Sequence, residues 1–342
     1  MSFDFIKRIP TSDEIISQYP INKEMAAIKV RRDKEIMDVL TGVSDRFLMI
    51  IGPCSADHTD PVLEYNHRLA RIQEDVKDRL ILIPRIYTNK PRTTGSGYKG
   101  IMHQPDPEKD PDMVGGLIAL RQMHLKSLAE TGLTAADEML YPENHTYLSD
   151  LLSYVAIGAR SVENQQHRLT VSGIDIPAGM KNPTSGDLNV MLNGVFAAQQ
   201  GHIFNYQGWQ VKTSGNKLAH TILRGAVNNQ GQSIPNYHYE DLQQLSEQYK
   251  LRFLENPACI IDTNHANSNK QYQEQPRIAK EVLHSRRLSE DIRGLVKGLM
   301  VESYLEEGCQ KVGEHVFGKS ITDACLGWDD TRRLIYTVAE QV

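Results

Sequence analysis

Long apolar runs are the first thing this sequence lacks. No stretch approaches the ~18 consecutive apolar residues of a membrane-spanning helix. The N-terminus, with Asp4, Lys7, Arg8, Asp13 and Glu14, leaves no room for the apolar centre of a signal peptide. The expectation is a cytoplasmic protein without membrane contact. Cysteine is scarce: Cys54, Cys259, Cys309 and Cys325 form no CxxC pair and no dense framework, which excludes a disulfide scaffold and predicts reduced thiols. Positive charge is not in excess either. With 38 Lys and Arg against 43 Asp and Glu the net charge is −5, which argues against broad nucleic-acid binding but leaves room for local clusters that hold small anions. Internal repeats, low-complexity tracts and a linker between two cores are also missing. What is present is an ordinary globular composition, 40% hydrophobic and 24% charged over 342 residues, long enough for one closed α/β barrel with additions.

Residues 1 to about 45 read as an N-terminal extension, helical over 21–41 through Met25, Ile28, Ile36, Met37 and Leu40. From Phe47 onward, short runs of Ile, Val and Leu alternate with longer stretches of helical periodicity, the pattern of repeated βα units around a parallel sheet. Eight runs qualify as strands: FLMIIG (47–52), LILIPRI (80–86), LTAADEM (133–139), VAIGAR (155–160), IPAGMK (176–181), TILRG (221–225), CIIDTNH (259–265) and GLMVES (298–303). A ninth, HIFNYQ (202–207), is followed at once by Gly208 and WQVKT, so it reads as an antiparallel hairpin (202–213) inserted before the sixth strand. The prediction is a (β/α)8 TIM barrel over 46–342 carrying that hairpin and the extension. HQPDPEKDPD (103–112) is expected to be an exposed loop, and Trp209 and Trp328 to be packing residues.

The residues that close the predicted strands carry the chemistry: Cys54, Arg85, Glu138, Arg160, Lys181, Arg224, His265 and Glu302. Taken singly each has a plain reading, a buried thiol or the first solvated residue after a strand. Taken together they do not, because the C-terminal strand ends of a parallel barrel converge on one face and would bring all of them to a single pocket. Cys54, His265 and Glu302, with Asp323 in the loop beyond the last strand, offer S, N and O donors to one divalent metal ion, a mixed set that suits Mn²⁺, Fe²⁺, Co²⁺ or Zn²⁺ better than Mg²⁺ or Ca²⁺. Arg85, Arg160, Lys181 and Arg224, with Lys90 and Arg92 of KPRTT nearby, point to small phosphorylated acids as ligands. GSGYKG (95–100) lacks the strand and helix context of a nucleotide motif and reads as a mobile substrate loop. Lys181 also sits where a Schiff-base aldolase would keep its lysine.

The segments IGPCS (51–55), NKPRTT (89–94), AIGARS (156–161), GMKN (179–182), TILRG (221–225), HANSNKQ (265–271), MVES (300–303) and GKSITDACLGWDDT (318–331) resemble those of the type I 3-deoxy-D-arabino-heptulosonate 7-phosphate (DAHP) synthases, the microbial class regulated by aromatic amino acids. The resemblance runs from about residue 20 to the C-terminus. It implies condensation of phosphoenolpyruvate with erythrose 4-phosphate, the first step of the shikimate pathway, in a homodimer or homotetramer whose contacts involve the extension. It implies further that Cys54, His265, Glu302 and Asp323 ligate the metal. Arg160, Lys181, Arg224 and the Ala159 N–H would cradle the phosphoenolpyruvate phosphate, and Arg85 and Lys90 its carboxylate. Arg92 and Thr93 would grip the aldose phosphate, and Glu138 would orient the attacking water. Lys90 is the implied proton donor to the new alkoxide, a task His265 could share. The loop TTGSGYKG departs from the family pattern, one residue longer and with Tyr98 where Trp is usual.

Two rival chemistries stay open: a synthase of another 3-deoxy sugar acid, against which KPRTT argues, and a Schiff-base aldolase using Lys181. Feedback control is expected to be absent. Regulated relatives bind Phe, Tyr or Trp beside the barrel. Here the hairpin turns through little more than Gln207 and Gly208, a Pro-Gln pair of relatives is replaced by His145 and Thr146, and Asp175 stands where a small Ser is usual. A carboxylate facing the amino acid's own carboxylate would oppose binding.

Overall fold

The structure, a computed structural model, describes residues 2–92 and 94–342. Two helices open it. α1 (Ser12–Gln18) starts from a reciprocal Thr11/Glu14 capping box, and α2 (Lys23–Leu40) from an Asn22 side chain that accepts the Met25 N–H. Then come β1 (Phe47–Gly52), α3 (Thr59–Val76), β2 (Leu80–Pro84), α4 (Met113–Thr131), β3 (Ala135–Glu138), β4 (Leu152–Ile157), α5 (Gln165–Val171), β5 (Ala178–Lys181) and α6 (Leu188–Gln199). The chain continues through β6 (Ile203–Tyr206), β7 (Trp209–Lys212), β8 (Ala219–Leu223), β9 (Ala226–Val227), β10 (Ser233–Ile234), α7 (Tyr239–Leu251), β11 (Cys259–Asp262), α8 (Gln275–Leu288), α9 (Glu290–Leu295), β12 (Val296–Glu302) and α10 (Trp328–Gln341).

Eight of these strands pair in parallel in the order β2-β1-β12-β11-β8-β5-β4-β3. The ring closes where Arg85 bridges Ala136 and the Ile86 N–H donates to the Ala136 carbonyl at 3.0 Å. This is the expected (β/α)8 barrel. β1 lies beside β12 with Gly52 opposite Glu302, so the first and last strands form one seam. Alternation along the strands sorts the core into two layers. Leu48, Ile50, Ile81, Ile83, Ala136, Tyr154, Ala156, Ile222, Ile260 and Met300 make one buried cluster, whereas Phe47, Met49, Ile51, Leu80, Leu82, Val155 and Ile157 pack with the surrounding helices in another. Ile36, Val39 and Leu40 of α2 belong to the first of these. The helix of the N-terminal extension is therefore part of the barrel's own core.

Strand limits differ from expectation at the rim. The segments read as running to Ile86, Met139, Arg160, Gly225 and His265 end at Pro84, Glu138, Ile157, Leu223 and Asp262. Their last residues already belong to the βα loops. The hairpin is present as β6 and β7, joined by Gln207 and Gly208, both with positive φ (50° and 80°), as a two-residue turn matched to strand twist requires. A second, smaller hairpin, β9 with β10, was not foreseen: two-residue strands carry no readable period. Trp328 packs edge-on against Tyr65 as expected, but Trp209 on the hairpin is 75% exposed and is not a packing residue.

Candidate active site

Because barrel strands tilt, their ends reach the rim at staggered heights. Glu138, Lys181 and Glu302 are the last residues of β3, β5 and β12; Arg85 and Arg224 follow β2 and β8 directly, and Cys54, Arg160 and His265 lie a little further into their loops. The stagger brings them together. Cys54, Arg85, Lys90, Arg92, Glu138, Ala159, Arg160, Lys181, Arg224, His265 and Asp323 line one pocket of about 340 Å³. Glu302, the remaining strand-end residue, does not line the pocket: 1% exposed, it sits behind Arg85 and accepts a 2.8 Å bond from it. Thr93 lies outside the described residues.

Cys54 Sγ, a Glu302 oxygen and an Asp323 oxygen lie within 4.8 Å of one another. Lys90 Nζ sits on two of them, 2.7 Å from Sγ and 2.9 Å from Asp323 Oδ2. Soft and hard donors already gathered on one cation fit a divalent ion of the borderline kind. His265, the expected fourth ligand, stands just outside this tight group. Its Nε2 is 4.0 Å from Glu302 Oε1, and its Nδ1 is 2.9 Å from Asp262 Oδ2, an ion-pair contact without hydrogen-bond alignment. His265 has a left-handed backbone (φ 50°), uncommon outside glycine, and the Lys270 N–H holds its carbonyl at 2.7 Å.

Charge is dense and mutually compensated. Burial disfavours ionised Glu302, but Arg85, His265 and Lys90 outweigh it and hold the carboxyl below its usual range. Asp323 is likewise held down, burial being overcome by Lys90 and Lys270. Burial, reinforced by Glu302, pushes the Cys54 thiol up, with Lys90 pulling the other way. For Lys90 burial works against the charge, but Cys54 and Asp323 prevail and keep it protonated. Arg85 lies over the Tyr87 ring at 3.7 Å and donates to the Pro53 and Cys54 carbonyls. Nη1 of Arg85 and Nη1 of Arg224 have no hydrogen-bond partner among the described residues.

Sequence reasoning missed two groups. Asp262, fully buried, pairs with Lys181 Nζ at 3.3 Å and with His265, tying a phosphate-cradle candidate to a metal-ligand candidate. A carboxylate ending an otherwise apolar CIID run was the available signal, obscured by extending that strand to His265. Lys270 lines the same pocket, 3.6 Å from Asp323 Oδ1. GSGYKG folds over one side, with Tyr98 buried and its carbonyl accepting the Arg92 Nε–H at 2.8 Å.

A family model described as the DAHP synthetase I family matches residues 18–335. The chain belongs to that family. Among curated members of the DAHP synthetase I family, the Tyr-sensitive phospho-2-dehydro-3-deoxyheptonate aldolase of Escherichia coli (strain K12) is 36% identical over 341 residues, covering 97% of this chain and 92% of the relative. The Phe-sensitive enzyme of the same organism is 36% identical over 346 residues, covering 98% and 95%. The Trp-sensitive one of Buchnera aphidicola subsp. Schizaphis graminum (strain Sg) is 36% identical over 341 residues, covering 97% and 94%. A solved phospho-2-dehydro-3-deoxyheptonate aldolase from Francisella tularensis SCHU S4 superposes with a TM-score of 0.92 at 28% identity, covering 100% of this chain and 98% of that one. Overall identity to DAHP synthetase I relatives named for three different effectors is the same, so it assigns this chain to none of them.

Proposed function

We propose that the protein is a metal-dependent DAHP synthase that condenses phosphoenolpyruvate with D-erythrose 4-phosphate and water to give DAHP and phosphate. One observation carries this reading: Arg85, Arg160, Lys181 and Arg224 share a single 340 Å³ pocket with Glu138 and with the Cys54 and Asp323 donors, in a member of this family. Arg160, Lys181, Arg224 and the Ala159 N–H bind the phosphoenolpyruvate phosphate, and Arg85 and Lys90 its carboxylate, through charge-assisted bonds strengthened by burial. Arg92, with Thr93, binds the aldose phosphate. Cys54, His265, Glu302 and Asp323 would hold one divalent ion, Mn²⁺, Fe²⁺, Co²⁺ or Zn²⁺, which when bound supplies Lewis acidity toward the aldehyde.

The remaining steps fall to side chains. Lys90 orients phosphoenolpyruvate so that its methylene carbon bonds the aldehyde carbon, and it gives a proton to the new alkoxide, with His265 able to share the transfer. Glu138 orients water and takes its proton as the oxygen adds to the former enol carbon. The arginine and lysine cradle then stabilises phosphate as the C–O bond breaks and the departing phosphate takes the new hydroxyl's proton, leaving the ketone.

The deciding assay measures phosphoenolpyruvate consumption with a panel of aldose phosphates, with and without added Mn²⁺. Turnover with erythrose 4-phosphate that a chelator abolishes supports the reading. Preference for another aldose would make it a synthase of a different 3-deoxy sugar acid, and inactivation by borohydride plus substrate would make it a Schiff-base aldolase using Lys181.

Three finer points belong to the same reading. The enzyme is insensitive to Phe, Tyr and Trp: the cavity of about 870 Å³ beside the barrel has aromatic walls in Phe204 and Tyr206, but Asp175 lines it with no ion-pair partner among the described residues, whereas Asp33 there is paired with Lys29 and Lys212 is a further lining cation. Strong inhibition by any of the three at millimolar excess refutes this. The protein is a homodimer or homotetramer in the cytoplasm. Phe3, Phe5 and Ile6 are 77%, 99% and 94% exposed and give the extension an apolar strip to bury against another copy, and among the described residues no helix is long and apolar enough to cross a membrane.

A further inference from the structure

The Glu138 carboxylate has no hydrogen-bond partner that would fix its direction. Its backbone is well held: Asp137 Oδ1 accepts the Glu138 N–H at 2.7 Å, and the Glu138 carbonyl accepts the Leu140 N–H at 2.9 Å. Its side-chain oxygens bond to nothing among the described residues, although the residue is only 8% exposed. With no bond to fix it, this pocket-lining carboxylate takes its direction from the room its neighbours leave. That room comes from the neighbouring strand, where Ala156 lies opposite Glu138 and Gly158 follows the end of β4.

A methyl group on Gly158 would stand 2.1 Å from Glu138 Oε1 and 3.3 Å from its carboxyl carbon, and would meet no other atom within 4 Å. The backbone of Gly158 is not left-handed, so conformation does not require glycine here. Its carbonyl accepts the Ser161 and Val162 N–H groups at 2.9 and 3.0 Å, bonds any residue could make. What glycine supplies at 158 is room, and the Glu138 carboxylate occupies it.

We propose that Gly158 is a positioning residue: the space left by its missing side chain seats the Glu138 carboxylate against the pocket, in the direction from which it orients water. This rests on the role given to Glu138 under the proposed function. To reach ordinary contact with a Cβ, Oε1 must retreat by roughly 1 Å, a displacement of the size that can cost 10²-fold in rate when a reacting group is misplaced. The atom in the way is the far end of a flexible side chain, so Gly158→Ala moves the carboxylate and leaves the barrel in place.

The test is a double-mutant cycle of wild type, Gly158→Ala, Glu138→Ala and the double variant, with kcat, the KM for phosphoenolpyruvate and the thermal midpoint read for each. Gly158→Ala should lower kcat by about tenfold or more while leaving the KM nearly unchanged, since the phosphate and carboxylate contacts lie on other residues. In the Glu138→Ala background the same substitution should have no further effect on kcat, because the group it displaces is gone. Any fall in thermal midpoint caused by Gly158→Ala should vanish in the double variant for the same reason. Equal losses in both backgrounds would show that Gly158 acts by another route and overturn the inference, as would a Gly158→Ala enzyme with wild-type kcat. If Glu138→Ala itself turns over normally, the role of Glu138 falls and the inference with it. If no variant and no wild-type enzyme consumes phosphoenolpyruvate with erythrose 4-phosphate, it is the proposed function that fails; the thermal midpoints then decide the Gly158–Glu138 contact alone.

Discussion

Asp137 should set part of the pH dependence of stability. Its side chain is buried on the helix side of β3, next to Glu138 in sequence: Oδ1 accepts the Thr88 and Glu138 N–H groups at 2.9 and 2.7 Å, and Oδ2 accepts the Thr88 hydroxyl. No cation answers its charge. His124 Nε2 is 4.0 Å away, but burial, with Arg121 nearby, holds that imidazole at about 3, so it is neutral at working pH. Burial, only partly offset by the bonds from Thr88 and the Glu138 N–H, pushes Asp137 up from 3.8 to about 7. Between those values the folded protein keeps a proton that the unfolded chain has released, so this group's contribution makes stability fall as pH rises through the window and level off above it. At 1.36 kcal/mol per pH unit the full cost is about 4 kcal/mol, of which roughly 2 kcal/mol accrues between about pH 5.5 and 8.5. Asp137→Asn keeps the acceptor for both N–H groups and has nothing to ionise, and Thr88 need only turn its hydroxyl to accept. Urea unfolding of both proteins across that range, with m unchanged, measures the difference. The variant should gain stability over wild type at the alkaline end and lose that gain toward the acid end. Parallel pH profiles, or a variant less stable at pH 8.5, would refute the reasoning.

Cys54→Ser replaces a thiolate donor with a poorly ionised hydroxyl, so metal content and activity should both collapse while far-UV circular dichroism stays the same; normal metal content would sink the ligand assignment. Arg160→Ala or Lys181→Ala each removes a charge-assisted contact to phosphate, and a loss in kcat/KM below about tenfold, roughly 1.4 kcal/mol, would place the phosphate elsewhere. Arg121 is fully buried, paired with both oxygens of Asp150 at 2.8 and 2.9 Å and bonded to the Tyr19 and Tyr147 carbonyls. Arg121→Ala should therefore lower the unfolding free energy read from urea titration by about 3 kcal/mol, the low end for a broken buried pair because Asp150 keeps some contact with water, without altering substrate KM. Deleting residues 2–9, with the exposed Phe3, Phe5 and Ile6, should lower the mass seen by light scattering; an unchanged mass would remove the extension from the interface.

The barrel could be read from the chain because strands such as β1 (FLMIIG) and β2 (LILIP) are continuous apolar runs, buried on both faces, and that pattern survives without any alternation to decode. FLMIIG matches β1 to its limits because Gly-Pro ends the run sharply, whereas CIIDTNH exceeds β11 by three residues because TNH continues without a turn signal. That error hid Asp262 behind His265. α1 escaped notice because seven residues offer too few apolar positions for a period, although its Thr11/Glu14 box was there to be seen. The pocket residues could be read for a different reason: parallel strands deliver their ends to one rim, so an ionisable residue at each end predicts a cluster with no knowledge of distances. Relations between side chains were out of reach, such as the Asp262 link from Lys181 to His265 or the room at Gly158 that Glu138 fills. They depend on stagger and on rotamers, which strand and helix periodicity does not reveal.

The seam between β1 and β12 carries a consequence for synthesis. Cys54 leaves β1 and Glu302 ends β12, strands joined by pairs such as Leu48 with Gly298, and Asp323 lies further on still. A ribosome completes one side of this donor group early and the other only after nearly the whole chain has emerged, so a nascent or truncated chain lacks the assembled donors. Contacts of such sequence separation form late and slowly. Any ion bound there acts as a clasp on the last joint to close, favouring the closed ring by its binding free energy. Metal retention would then report that a molecule has finished folding.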